Sequence, residues 1–325
     1  MTIVIATETL RKIDEMIYAD QGAKFRTILG TLMPEAKDAY EPAKDDFRSH
    51  LGASMIGREC PRELWYNFHW ARAPKFEGRM LRLFNRGHLE EPRLVAMLMM
   101  LGCEVWSHDA KGEQFRITGV GGHFGSAIDG VVSGCPDIPD RPILGEFKTY
   151  NDKNFTKLAG KSDDFRAFLE YLLNPKLPAV KFTGKGVKVA KFEHYVQMQI
   201  YMGYYKLSHA IYLAVNKNDD QLYAEIVEFD KPVFDLYWAR AEKIILSSVI
   251  PARISESPGF WKCAYCDFKQ ICQLSGNVAM NCRTCAGSVA TQDGDWHCVK
   301  WAVKLDKAAQ MKGCQEYDKK VEFSQ

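Results

Sequence analysis

The stretch Pro142-Ile143-Leu144-Gly145-Glu146-Phe147-Lys148-Thr149 constrains this chain more than any other. Ile143, Leu144 and Phe147 are strand formers, so it reads as a short buried strand, and the period of two puts Glu146 and Lys148 on one face. Upstream, residues 124–132 read as another strand, and a hairpin connection through Cys135-Pro136-Asp137-Ile138-Pro139-Asp140 lays it against the first. Asp129 then stands beside Glu146. Two carboxylates and a lysine at neighbouring strand positions suit a hard divalent cation such as Mg²⁺, which takes oxygen ligands and keeps waters for substrate or nucleophile. Alone, Glu-x-Lys is also the pattern of a solvated amphipathic edge.

The rest of the chain supplies an α/β frame. Residues 7–50 read as a polar helical segment, with Leu10, Ile13, Met16 and Ile17 at helical spacing. Pro61 starts a helix just after Cys60, and a second helix begins at Leu83 and continues through Leu98 and Leu101. On that helix Gly87 and Glu91 lie one turn apart, with Glu90 as the rival carboxylate; both glutamates would also favour a positive helix N-terminus around Pro92. Strands are expected at 104–106 and 114–118, a helix over 153–173, a helix over 193–207 carrying Gln197 and Tyr201 at i and i+4, strands at 210–215 and 222–227, and a helix over 232–250. This order gives an α/β domain with a mixed central sheet flanked by helices. Residues 174–192 form a Pro/Gly/Lys-rich insertion whose lysines (Lys176, Lys181, Lys185, Lys188, Lys191) could contact phosphates, with Phe182 and Phe192 able to stack on bases.

Charge narrows the partners. With 43 basic and 41 acidic residues the formal net charge is +2, so any nucleic-acid path must be a local patch. No apolar run approaches a membrane span, and the N-terminus lacks the basic start of a secretory signal, so the protein is expected in the cytosol and off the membrane.

Four features occur in one order: Gly87-x-x-x-Glu91, Asp129, Glu146-x-Lys148 and Gln197-x-x-x-Tyr201. This order, over residues 83–230, resembles the RecB-like and lambda-exonuclease-like branch of the PD-(D/E)XK nuclease superfamily, and the CRISPR-associated RecB-like exonucleases. The Asp lacks the usual preceding Pro, standing as Ile128-Asp129. The resemblance implies a restriction-endonuclease-like core in which Asp129, Glu146 and Glu91 hold Mg²⁺ or Mn²⁺, Lys148 orients or activates the attacking water, and Gln197 with Tyr201 holds the DNA strand or a metal-bound water. It implies a metal-dependent DNA exonuclease acting on DNA with a single-stranded end, of a kind used in phage or mobile-element recombination and found in the host cytoplasm if phage-encoded. A structure-selective endonuclease with the same site is one alternative. A catalytically idle DNA-end-binding or adaptor protein, its tail recruiting a partner such as a single-strand annealing protein, is another.

Ten cysteines in a chain without a secretory signal favour metal over disulfides. Cys263-x2-Cys266-x5-Cys272 is a local metal signature with only three ligands. RecB-like exonucleases with an iron–sulfur staple, and AddB-type helicase-nuclease subunits, resemble this pattern, with one cysteine before the nuclease core joining three after it. The resemblance makes Cys60 the fourth ligand of a [4Fe–4S] cluster, with zinc as its competitor. Cys282-x2-Cys285-x12-Cys298-x15-Cys314 suits a structural zinc site, His297 being a substitute ligand. Cys103 and Cys135 read as packing thiols. The expected division is a helical segment 1–50, a nuclease domain 51–275 closed by the staple, and a small Cys-rich zinc-binding module 276–325.

Overall fold

A computed structural model describes residues 2–36, 47–73, 75–320 and 323. The strands in chain order are β1 (Val4–Ile5), β2 (Leu51–Gly52), β3 (Glu104–Trp106), β4 (Arg116–Gly119), β5 (Phe124–Ala127), β6 (Gly130–Ser133), β7 (Ile143–Tyr150), β8 (His209–Asn216), β9 (Leu222–Glu228), β10 (Ser288–Ala290), β11 (Trp296–Cys298) and β12 (Val303–Leu305). The chain forms two compact units, one built from Met1–Pro42, Phe76–Phe115 and Ala127–Lys231, the other from Ala43–Lys75, Arg116–Ser126 and Pro232–Gln325.

The first unit is organised by a six-stranded sheet in the order β1-β9-β8-β7-β6-β3. Only β7 and β8 run parallel, with Glu146 opposite Tyr212; the other pairs are antiparallel, so the sheet is mixed. A parallel pair needs a crossover. Here the crossover carries the helices Asp152–Ala159, Ser162–Leu173, Gly186–Ala190 and Phe192–Tyr205. Helices Gly78–Met100 and Phe192–Tyr205 both pack on β7, which explains why Ile143, Leu144 and Glu146 on its alternating faces are all buried. The expected α/β architecture with a mixed sheet flanked by helices is therefore present.

Several local expectations change. The single strand over 124–132 is two strands: β5 joins β2 and β4 in a separate sheet, whereas β6 joins β7, and the chain bends at Asp129 between them. The strand expected at 114–118 is β4 and belongs to that smaller sheet as well. The helix expected over 153–173 breaks at Gly160, whose φ of +92° is available to glycine and not readily to other residues. The helix expected to reach 250 ends at Ile245. The helix expected from Leu83 starts at Gly78 and contains Pro92 in its interior, so Glu90 and Glu91 lie far from its N-terminal dipole, and that account of them fails. In the polar N-terminal segment, helices Thr7–Ala19 and Ala23–Leu32 form as expected, with Leu10 and Ile13 buried; residues 37–46 lie outside the described residues.

The second unit holds helix Pro61–Phe68, the sheet β2-β5-β4, helix Lys231–Ile245 from Pro232 onward, and a three-stranded C-terminal sheet β10-β11-β12. Gly121 and Gly294 meet back to back there: a Cβ on Gly294 would lie 1.8 Å from the Gly121 carbonyl oxygen, so neither position can carry a side chain.

The first helix has no cap of its own at Ala6. The loop between β6 and β7 supplies one: Asp137 accepts from the Glu8 amide at 3.1 Å, the Thr9 amide at 2.8 Å and the Thr9 hydroxyl at 2.7 Å. Asp137→Ala should destabilise the protein by about 1–2 kcal/mol in urea denaturation, with the slope unchanged, as expected for a lost helix cap. An effect within ±0.3 kcal/mol would remove Asp137 as the cap.

Candidate active site

The site lies in the first unit, on the face of β7 that carries Glu146, Lys148 and Tyr150 at a period of two. Asp129 sits on the bend before β6. Extending the antiparallel register Gly130↔Gly145 by one residue puts it opposite Glu146, as expected from the sequence. Its Oδ2 accepts the Phe147 amide at 2.9 Å, in place of a ladder bond, and the Lys148 ammonium at 3.3 Å. Lys148 Nζ also lies 2.5 Å from Glu146 Oε1 and donates to the Phe147 carbonyl at 2.9 Å. One ammonium thus bridges two carboxylates.

The Glu146 carboxylate is fully buried; its Oε1 meets the Lys148 ammonium as an ion pair, and among the described residues neither oxygen has any other polar partner. Buried polar atoms are nearly always hydrogen-bonded, so a buried carboxylate with one lysine as its sole polar neighbour calls for an explanation. Burial pushes the Glu146 pKa up to about 7, against the pull of Lys148 and with a further push from Asp129. For Lys148, burial favours the neutral amine, but Asp129 and Glu146 outweigh it and raise its pKa above the ordinary lysine value. Two acids and one ammonium leave a net negative site when all are ionised.

Glu91 is half-buried on helix Gly78–Met100, which packs on β7. The rival Glu90 is ion-paired with Arg93 at 3.6 Å. Gln197 and Tyr201 face each other along helix Phe192–Tyr205, with the Gln197 amide donating to the Tyr201 hydroxyl at 3.0 Å; both are buried.

A polar group absent from the sequence reading adjoins the lysine. His194 Nδ1 lies 3.0 Å from the Tyr150 hydroxyl and 2.8 Å from that of Tyr212, and the two hydroxyls are 2.5 Å apart. Burial, then the charges of Lys148 and Lys191, hold His194 down to about 3, so its imidazole is neutral near pH 7. Both periodicities pointed here, since Tyr150 follows Lys148 by two on the strand and His194 precedes Gln197 by three on the helix. Tyr212 enters only through the β7–β8 register.

Part of the lysine-rich insertion has a structural role. Lys188 pairs with Asp230 at 3.4 Å, and Lys191 donates to Asn154 at 3.1 Å while lying over the Tyr150 ring. Lys176, Lys181 and Lys185 are exposed. Phe182, half-buried, packs against Phe165 and Phe168, and Phe192 is 39% exposed.

In the second unit, Cys60, Cys263, Cys266 and Cys272 line one cavity, together with Arg62 and Tyr66. Cys60 is the N-cap residue of helix Pro61–Phe68, while Cys263 and Cys272 sit in the short helices Trp261–Ala264 and Lys269–Gln273. Arg62 Nη1 is buried there without a hydrogen bond. For the second quartet, burial first, then Cys285, Cys314 and Cys298, push the Cys282 thiol up to about 11. His297 and Cys298 are successive in β11 and point to opposite faces, so a centre built on Cys298 does not take His297. All ten cysteines are free thiols, and among the described residues no three His, Cys, Asp or Glu side chains stand as a ready-made metal-holding group. Cys103 and Cys135 are buried, Cys103 donating to the Gly134 carbonyl at 3.4 Å.

The raised pKa of Glu146 has a thermodynamic signature. Its folded value of about 7 exceeds the ordinary 4.5, so between these pH values the folded chain holds a proton that the unfolded chain has released. Stability should fall as pH rises through this window. Glu146→Gln removes that dependence, so its stability relative to the parent should rise by about 2–3 kcal/mol from pH 4.5 to pH 8, measured by urea denaturation in EDTA. A pH-independent difference would place the Glu146 pKa at its ordinary value.

No family model and no curated protein matches the sequence. Among solved structures, the chain is similar to SSO0001, at 16% identity and a TM-score of 0.34 over 78% of this chain and 97% of that one. It is also similar to an alkaline exonuclease (LHK-Exo) from Laribacter hongkongensis, at 15% identity and a TM-score of 0.36 over 60% of this chain and 86% of that one. The same exonuclease in complex with dAMP gives 15% identity and a TM-score of 0.35 over the same shares.

Proposed function

We propose that this chain is a divalent-metal-dependent deoxyribonuclease that hydrolyses phosphodiester bonds from DNA ends. One observation carries the reading: Glu146 is wholly buried with both carboxylate oxygens lacking a hydrogen bond, beside Asp129 and a lysine. Two adjacent carboxylates, one of them buried without a hydrogen bond, are a fitting donor set for Mg²⁺ or Mn²⁺. Asp129 and Glu146 would hold the cation, with Glu91 contributing from the helix. When bound, such a cation supplies charge stabilisation at the phosphoryl oxygens and a more acidic water. Lys148 remains an ammonium because its pKa is raised, so it orients the nucleophile and stabilises developing negative charge, and it does not act as a base. Gln197 and Tyr201, joined by a hydrogen bond, fix the helix wall of the site. The neutral His194 and its two tyrosines buttress the end of β7 next to Lys148.

Asp129→Asn and Glu146→Gln should each lower cleavage of end-labelled linear DNA by at least ~10²–10³-fold in Mg²⁺ or Mn²⁺, with DNA affinity retained. Lys148→Ala should lower kcat by a similar factor with little change in affinity, as for a contact made in the transition state. Undiminished cleavage by Glu146→Gln at matched metal concentration would sink the assignment. Survival of circular single-stranded DNA alongside digestion of linear DNA would separate an end-dependent enzyme from an endonuclease.

The cysteine quartets are read as metal centres of the second unit. Four thiols around one cavity, with the buried and unpaired Arg62 Nη1 beside them, fit an anionic [4Fe–4S] cluster held by Cys60, Cys263, Cys266 and Cys272. Cys282, Cys285, Cys298 and Cys314 fit zinc, which takes four thiolates tetrahedrally. Anaerobically purified protein should be brown, with about four iron and four sulfide per chain, and Cys263→Ser should lose colour and stability together. Colourless, folded protein holding two zinc ions per chain and no iron would make the first quartet a zinc site.

A further inference from the structure

We infer that Arg62 and Gln273 are outer donors to the centre held by Cys60, Cys263, Cys266 and Cys272, and that they raise its reduction potential. The inference rests on the iron–sulfur reading of that quartet and adds the residues that set how readily its cluster takes an electron. The four thiols do not face an apolar wall. Arg62, Arg253 and Lys269 line the same cavity, and the one acid among its lining residues, Glu63, is ion-paired with Arg58.

Arg62 makes the strongest case. It follows the N-cap residue Cys60 by two in helix Pro61–Phe68 and is only 8% exposed. Its Nε donates to the Pro251 carbonyl at 2.7 Å, which fixes the plane of the guanidinium, whereas the buried Nη1 has no hydrogen-bond partner among the described residues. Arg62 forms no ion pair among those residues either. A buried cationic N–H without an acceptor is costly, and thiolate sulfur is the anionic acceptor that this cavity offers.

Gln273 makes the second contact. Its amide nitrogen donates to the Ser255 carbonyl at 2.9 Å and lies 3.9 Å from Cys263 Sγ, within the range of a hydrogen bond to sulfur. That nitrogen carries two hydrogens, so one serves each acceptor. Arg253 adds a third donor, since it bonds Cys272 besides its pair with Glu256 at 2.6 Å.

The charge on the centre decides what these donors do. A [4Fe–4S]²⁺ core on four thiolates is a dianion, and one added electron makes it a trianion, with no bond made or broken. The potential of such a cluster follows its net charge, the hydrogen bonds to its sulfurs and its exposure. A fixed positive charge and N–H dipoles aimed at the sulfurs stabilise the trianion more than the dianion, because their attraction scales with the charge they meet. The guanidinium of Arg62 is almost out of water, so solvent and salt screen it little. Zinc has no redox couple, so around a zinc ion the same donors would leave no such signature.

The test is a dithionite titration of the whole chain, purified without oxygen, with mediator dyes setting the potential and electron paramagnetic resonance reading the reduced cluster. At the potential where the wild type is half reduced, Arg62→Met should show a ratio of reduced to oxidised cluster about tenfold lower. This is the scale for one fixed charge acting on one added electron across about 10 Å at an effective dielectric of about 20. Tenfold corresponds to a fall of about 59 mV for a one-electron couple. Arg62→Lys keeps the charge and should stay within about twofold, and Gln273→Met, which loses only N–H donors, should fall about threefold. Arg62→Gln is also neutral and should behave as Arg62→Met, which keeps the test open if the apolar variant does not hold its cluster. Iron and sulfide contents equal to wild type separate a shifted potential from a damaged centre. Unchanged midpoints in Arg62→Gln and Gln273→Met at full iron content would overturn the inference and leave the cluster reading intact. Loss of iron from both neutral Arg62 variants, with an unchanged midpoint in Gln273→Met, would make Arg62 a structural support and overturn it too. Folded wild-type protein with zinc and no iron in this quartet would sink the cluster reading and the inference together.

Discussion

The ion cluster of Glu146, Lys148 and Asp129 is the constraint that the first unit is built to satisfy. Burying a carboxylate is unfavourable unless it is paired, and removing one partner of a buried pair leaves an uncompensated charge. The surrounding elements hold the partners in place. β6 begins just after Asp129, which reaches the Phe147 amide, β7 sets Glu146 and Lys148 two residues apart, and the helices that pack on β7 bury Glu146 while Asp129 and Lys148 keep some contact with solvent. A protein selected only for stability has no need of such a cluster, since apolar residues of similar size are often as stable or more so.

The second unit depends on a different buried charge. Arg283 lies 3.7 Å over the Trp70 ring and 4.7 Å over that of Trp296. Its three nitrogens donate to the Gln310 side chain and to the carbonyls of Phe68 and Ser49 at 2.8–2.9 Å. Burial lowers its pKa to about 9, so it is charged at neutral pH, and among the described residues no carboxylate pairs with it. Aromatic faces and carbonyl dipoles do the compensating, a use to which the planar, weakly hydrated guanidinium is better suited than an ammonium. Through these contacts one side chain ties the Cys-rich C-terminal stretch to the helix Pro61–Phe68 that Cys60 begins.

Much of the local structure was legible in the residues. β-Branched and aromatic runs located β7, β8 and β9, Pro61 located the start of its helix, and helical spacing placed Gln197 and Tyr201 on one face. These are short-range properties, fixed by dihedral preference and by the period of a strand or helix. Boundaries were less legible. The pattern from Phe124 to Val132 is compatible with one strand, and nothing local says that its two ends belong to different sheets. Pro92 looks like a helix start in sequence, yet packing along the C-terminal half of Gly78–Met100 carries the helix through it.

The sequence by itself therefore determined which chemistry the chain can offer: two acids and a lysine at strand spacing, two sets of four cysteines, and a mixed α/β frame. Only the tertiary structure decided how those groups are poised. The burial of Glu146, the bridging position of Lys148 and the arrival of Tyr212 beside Tyr150 follow from the register of β7 with its two neighbours. The capping of the first helix by Asp137, and the gathering of Cys60 with cysteines about two hundred residues later, follow from chain closure. Pairing of distant segments depends on the summed packing of the whole unit, and no window of local propensity contains that sum.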